Sequence, residues 1–163
     1  MTKRAKVYLG FITLCGLALL AYAGYQYCLS VDLSNLWLEI QQMVCLIILC
    51  VLCCSLPIVI SAKQQALDIS IISILAAVIV KGPFAAMVVY FISSLFVVKK
   101  LKNEYHHILN TPFIKTAFNT ANLMIAIYVP GILLFGTAGF QGEMLPRVLL
   151  PAALFTAIAF LLN

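Results

Sequence analysis

Charge is what this sequence has least of. Only 9% of its 163 residues are Asp, Glu, Lys or Arg, and five of those are acidic. A water-facing domain carries roughly 25%, so this chain has too little charge to coat a soluble surface. Long polar stretches are missing as well, which leaves no room for a separate soluble catalytic domain. Catalytic signatures are absent: there is no phosphate-binding glycine loop, no G-x-S-x-G, no H-E-x-x-H and no dinucleotide turn. An arginine ladder or a selectivity-filter sequence is also not found. No enzyme, cofactor or nucleic-acid reading follows from these residues.

What is present is apolar sequence, 64% hydrophobic with mean hydropathy +1.12. The pattern predicts an all-α fold: a polytopic integral membrane helical bundle forming one domain over residues 1–163. Six helices are expected, near 7–25, 36–56, 67–80, 84–98, 113–135 and 146–162. Lys3, Arg4 and Lys6 precede the first run, and Tyr22, Tyr25, Tyr27 and Trp37 bracket the first loop as interfacial aromatics would. Ala21-Tyr22-Ala23 also fits a signal-peptide cleavage site. The run is long enough to span and further helices follow, which favours an uncleaved helix.

The third and fourth helices are the unusual pair. Only Lys81-Gly82-Pro83 separates them, so a tight helical hairpin is expected. Gly82 supplies the reversal and Pro83 pre-sets the next first turn. Each arm has about 15 residues, or about 22 Å, against a hydrocarbon core of about 30 Å. Either the arms borrow flanking residues or thin the bilayer, or they pack within the bundle without crossing fully.

Lysine and arginine placement sets the orientation. With six crossings, Lys3, Arg4, Lys6, Lys63, Lys99, Lys100, Lys102 and Lys115 fall on one side, and Lys81 and Arg147 on the other. The positive-inside rule then puts both termini in the cytoplasm.

Five of the six cysteines lie in apolar runs, where they act as small hydrophobes; Cys28, near a helix end, is the one expected to meet solvent. Cys50, Cys53 and Cys54 share a helix face. With no histidine nearby they read as packing residues rather than a metal site. Adjacent His106 and His107, with Glu104, lie in a lysine-rich polar loop and read as a solvated segment, with a pH-sensing or lipid-headgroup role open.

Intramembrane polar groups are costly, so they mark candidate sites. Asp68 starts the third predicted helix and Glu39 the second, both at positions where an acid complements the helix dipole. The fifth helix carries the stronger signal: Thr116, Asn119 and Thr120 at i, i+3, i+4, then Asn122. Such groups need partners, which turns them to the bundle interior or a cavity. They form the candidate ligand-binding or coupling set with Asp68, and interhelical hydrogen bonding is the plainer account. Pro130-Gly131 is the expected hinge. Ala117-xxx-Ala121 and Ala153-xxx-Ala157 permit close helix approach.

Three stretches together carry a resemblance: ISIISILAAVIVKGPFAAMVVYFISSLF (69–96), PFIKTAFNTANLMIA (112–126) and LPRVLLPAALFTAIAFLLN (145–163). They resemble the N-terminal membrane region of bacterial cyclic-di-GMP signalling proteins, which precedes GGDEF or HD-GYP domains. In that family a GP turn joins two short helices. An FN-x-A segment opens a later helix, matched here by Phe118-Asn119-Thr120-Ala121, and an FLLN-type end leads into the output domain. The resemblance implies a sensory module in the bacterial inner membrane, coupled to a cytoplasmic output domain or signalling enzyme, with a homodimer as the expected assembly. This sequence stops at Asn163 without that domain, so it is expected to be a fragment or a stand-alone subunit. The GP-turned hairpin is also similar to the substrate-binding component of energy-coupling-factor vitamin transporters. That alternative would make the polar face of the fifth helix line a ligand pocket.

Overall fold

The computed structural model describes residues 3–31, 33–56, 58–59, 66–67, 70–101, 104–108, 110–136 and 145–162. These form five helices: α1 Lys3–Ser30, α2 Leu36–Ser55, α3 Ser70–Phe96, α4 Phe113–Phe135 and α5 Leu145–Leu162. Two short ladders accompany them. Strands β1 (Ile58–Val59) and β2 (Ala66–Leu67) pair antiparallel, as do β3 (Lys99–Leu101) and β4 (Glu104–His106). By length and composition four helices, α1 to α4, are long and apolar enough to cross a membrane, α3 only when counted across its break. The described chain is helical, and its long apolar helices are compatible with a multi-pass membrane protein.

Five helical elements stand where six were expected, because the predicted runs 67–80 and 84–98 are joined in α3. Within it two helices meet at a kink: helical turns run up to Gly82 from one side and start again at Pro83. Gly82 alone is non-helical, at φ 84° and ψ 171°. That conformation is open to glycine and costly for a residue with a Cβ. The start also moves: Leu67 pairs with Ile58 in a ladder, so the helix opens at Ser70 rather than 67. At the other end of the chain, α1 runs to Ser30 rather than 25.

The break turns α3 into a V. One end is placed by Val98, whose amide donates to Ser55 Oγ at 3.4 Å, at the last turn of α2. The other end follows β2, which runs antiparallel to β1 and therefore heads back toward that same end of α2. The apex lies at the opposite end of α2, where Lys81 reaches Glu39. The arms, 70–81 and 83–96, are about 18 and 21 Å long at 1.5 Å per residue.

Helices α1 and α4 pack on the second arm. Thr116 and Phe113, near the start of α4, share a groove with Phe91 and Leu95, whereas Gly131 near its end meets Pro83. So α4 runs antiparallel to that arm. Tyr8 packs on Phe118, and Tyr22 packs edge-on against Phe84, with ring centroids 5.7 Å apart. That makes α1 parallel to α4. Helix α5 closes the bundle through Phe155, fully buried and edge-on to Phe135 at 5.9 Å.

The core is centred on α3. Ile74, Ala77, Val78, Ala85, Ala86, Met87 and Val89 are wholly buried. Large side chains of α1 and α2 such as Phe11, Leu14, Trp37 and Leu52 face outward. In lipid that arrangement is stable, because acyl chains solvate leucine as readily as another helix does.

Candidate functional site

Small residues create the site. A Cβ added at Gly16 would stand 2.3 Å from Ala121 Cβ and 2.5 Å from its Cα. Helices α1 and α4 therefore touch backbone to side chain there, the close approach that small residues allow. Ala121 belongs to the predicted Ala117-xxx-Ala121 pair, while Ala153 and Ala157 face outward on α5.

Beside this contact, toward the start of α4, a cavity of about 210 Å³ opens between α1, the second arm of α3 and α4. Its wall includes Leu17, Phe91, Leu95, Ile108, Phe113 and Met124. Three hydroxyl residues interrupt it: Ser94, Thr116 and Thr120. Ser94 donates its hydroxyl to the Phe91 carbonyl at 2.7 Å. A second groove, about 550 Å³, lies between α1 and α4 along Leu9, Gly10, Thr13, Leu14, Phe113, Ile114 and Ala117. Phe113 and Ala117 border both spaces.

The predicted polar set is divided. Thr116 and Thr120 border the cavity. Asn119 is exposed on the outer surface of α4 and Asn122 is half-buried. At 100° per residue, Asn119 and Thr120 diverge by a quarter turn, enough to put one in the groove and the other outside. The expectation that both asparagine amides face inward therefore needs correction for Asn119. It sits six residues into α4, about 9 Å along the axis from the start of the helix. Asp68 lies outside the described residues.

Pro130 and Gly131 are buried, and α4 stays helical through both. A Cβ at Gly131 would stand 2.7 Å from Pro83 Cβ. The broken apex of α3 and the proline turn of α4 thus lie in van der Waals contact, a juxtaposition no local pattern announces.

Another pairing escaped sequence reasoning. Glu39, placed in the first turn of α2 as a dipole partner, also accepts a 2.6 Å hydrogen bond from Lys81 Nζ. Their side chains are 21% and 14% exposed. The available signal was that the charge count puts Lys81 on the side of the first loop, and Glu39 opens the helix that follows that loop. A second interhelical tie is Ser93, whose hydroxyl contacts the Val89 carbonyl at 2.7 Å and the Ile47 carbonyl of α2 at 3.2 Å.

The cysteine face of α2 is a packing surface. Cys50 and Cys54 are buried with their sulfurs 3.9 Å apart, and Cys53 is half-buried. Cys28 is exposed as expected, but so is Cys45, on an outward face of α2. Among the described residues, no group of three or more His, Cys, Asp or Glu stands together as a metal site would require.

Together these features define an apolar helical protein with a hydroxyl-dotted cavity beside a broken helix. No family model, curated protein or solved structure matches the chain.

Proposed function

We propose that this chain is the membrane-embedded sensory module of a bacterial signalling protein. It would pass a membrane or ligand signal to a cytoplasmic output domain or partner enzyme, in keeping with the resemblance to cyclic-di-GMP signalling proteins. Both termini face the cytoplasm in this reading, and the module sits in the inner membrane. The two arms of α3 are short for full crossings, so the hairpin enters from the cytoplasmic side and its apex stops near the outer ends of α1, α2 and α4. A homodimer is the expected working assembly.

The observation that carries the reading is the Pro83–Gly131 contact. It ties the apex of the hairpin to α4, and α4 is tied to α5 through Phe135 and Phe155. Displacement at the cavity bordered by Thr116 and Thr120 would therefore shift packed, discrete contacts rather than a soft loop. The last of these helices ends on the cytoplasmic side, where an output domain would attach.

The test uses native membranes holding the full gene product with its attached or co-purifying enzyme. Gly131→Ala should change the basal cyclic-di-GMP turnover several-fold at equal protein level. Unaltered turnover in a variant that still folds with a measurably lower melting temperature would overturn the proposal. The cavity of about 210 Å³ also gives the transporter alternative an observation of its own. Its wall offers a polar vitamin only three hydroxyl side chains, so it ranks second. Tight vitamin binding, or co-purification with an ATPase pair, would reverse that order.

A further inference from the structure

We propose that Cys50 and Cys54 bind a single Cu(I) ion between their sulfurs. Neither the sensory nor the transport reading is needed for this; it rests on the cysteine pair of α2.

Positions four apart stack on one face of a helix. Here that places the two sulfurs 3.9 Å from each other, with both residues buried. Metal–thiolate bonds are about 2.3 Å long, so one ion spans any two sulfurs closer than about 4.6 Å. Two donors select the metal. Zinc takes four protein ligands in a closed site and three in an open one. Among the described residues no group of three or more His, Cys, Asp or Glu stands together, so zinc is not served. Cu(I) is soft, prefers thiolate and thioether sulfur, and is content with two donors.

A second observation is the composition of the buried face. Helix α2 has three buried residues, Met43, Cys50 and Cys54, and each carries sulfur. Its larger aliphatic residues Ile48, Leu49 and Leu52 face outward. Packing asks only for apolar volume at the inward positions, whereas sulfur at every one of them makes a face of soft donors. Met43 stands about 10.5 Å from Cys50 along the axis, too far to share the ion. Access is short. The helix ends at Ser55, one residue beyond Cys54, and half-buried Cys53 adjoins the pair.

The exchange balances without a redox step. The two thiols share an S–H···S contact. Cu(I) takes the place of that proton, which leaves to water, and the other thiol keeps its own. One thiolate, one thiol and one monovalent cation are neutral together, as a poorly solvated place favours.

The experiment uses the full chain purified in mild detergent, kept anaerobic with ascorbate, and titrated with Cu(I) against a chromogenic chelator. Wild type should bind one Cu(I) per chain, and its x-ray absorption spectrum should show two sulfur neighbours. Cys50→Ser and Cys54→Ser should each weaken binding by more than the roughly 10- to 100-fold lost with a group that only orients a ligand. Cys28→Ser and Cys45→Ser remove exposed thiols and should leave it unchanged. Zn(II) at equal concentration should not displace Cu(I). Melting curves without metal report whether each serine variant folds, and the wild-type spectrum decides the matter even where one does not. Failure of wild type to bind would overturn the proposal, as would three or four sulfur neighbours or a shell of nitrogen or oxygen. Equal binding of Zn(II), or wild-type affinity in either Cys50→Ser or Cys54→Ser, would overturn it as well.

Discussion

Lys81 and Glu39 form an ion pair at 2.6 Å that joins the apex of the α3 hairpin to the first turn of α2. The two residues are 42 positions apart, and both are mostly shielded. Removing one partner leaves a charge in a poorly solvated place, whereas removing both does not. Glu39→Gln and Lys81→Met should therefore each destabilise by about 1–3 kcal/mol, with the double variant less affected than the sum. Thermal unfolding in detergent across the four-member cycle checks this; strict additivity would show that the pair is idle.

Gly16 and Gly131 face different obstacles, and substitution should rank them. Alanine at Gly16 drives its Cβ against Ala121 backbone, which cannot swing away. Alanine at Gly131 meets the ring of Pro83. Overpacking costs about 1–3 kcal/mol, set against a helix-propensity gain of about 1 kcal/mol. Gly16→Ala should lose more stability than Gly131→Ala. Gly10→Ala, with open space around it, should be neutral or slightly stabilising in the same melts.

Neighbouring serines should behave differently. Ser93 reaches the Ile47 carbonyl on α2 as well as its own helix, while Ser94, among the described residues, bonds to the Phe91 carbonyl within α3. Ser93→Ala should cost about 0.6–1 kcal/mol, the range of interhelical hydrogen bonds in membranes. Ser94→Ala, which loses only a local bond, should change stability by less than half that amount.

Cysteine labelling reads both packing and orientation. Cys50 and Cys54 are buried and should resist a maleimide until the protein unfolds. Cys28 is exposed near the end of α1 and should react with a membrane-impermeant maleimide added outside intact cells. Labelling of Cys28 only after lysis would invert the proposed orientation.

Much of this molecule was legible one residue at a time. Scarcity of charge leaves too little to coat a water-facing surface, and apolar runs bounded by lysine, proline and tyrosine fix α2, α4 and α5 within a residue or so. Gly82-Pro83 identifies the break in α3, because only glycine reaches that conformation cheaply and proline cannot continue a preceding turn. These are local matters of solvation and backbone sterics, so sequence suffices. The division of the threonines from Asn119 was not legible, since helical spacing gives relative angles but not which angle faces a neighbour. Nor were Gly16 against Ala121, Pro83 against Gly131, or Lys81 beside Glu39. Each of these depends on the distance and rotation between helices far apart in the chain. Those quantities come from how small residues let backbones approach, and only the packed bundle settles them.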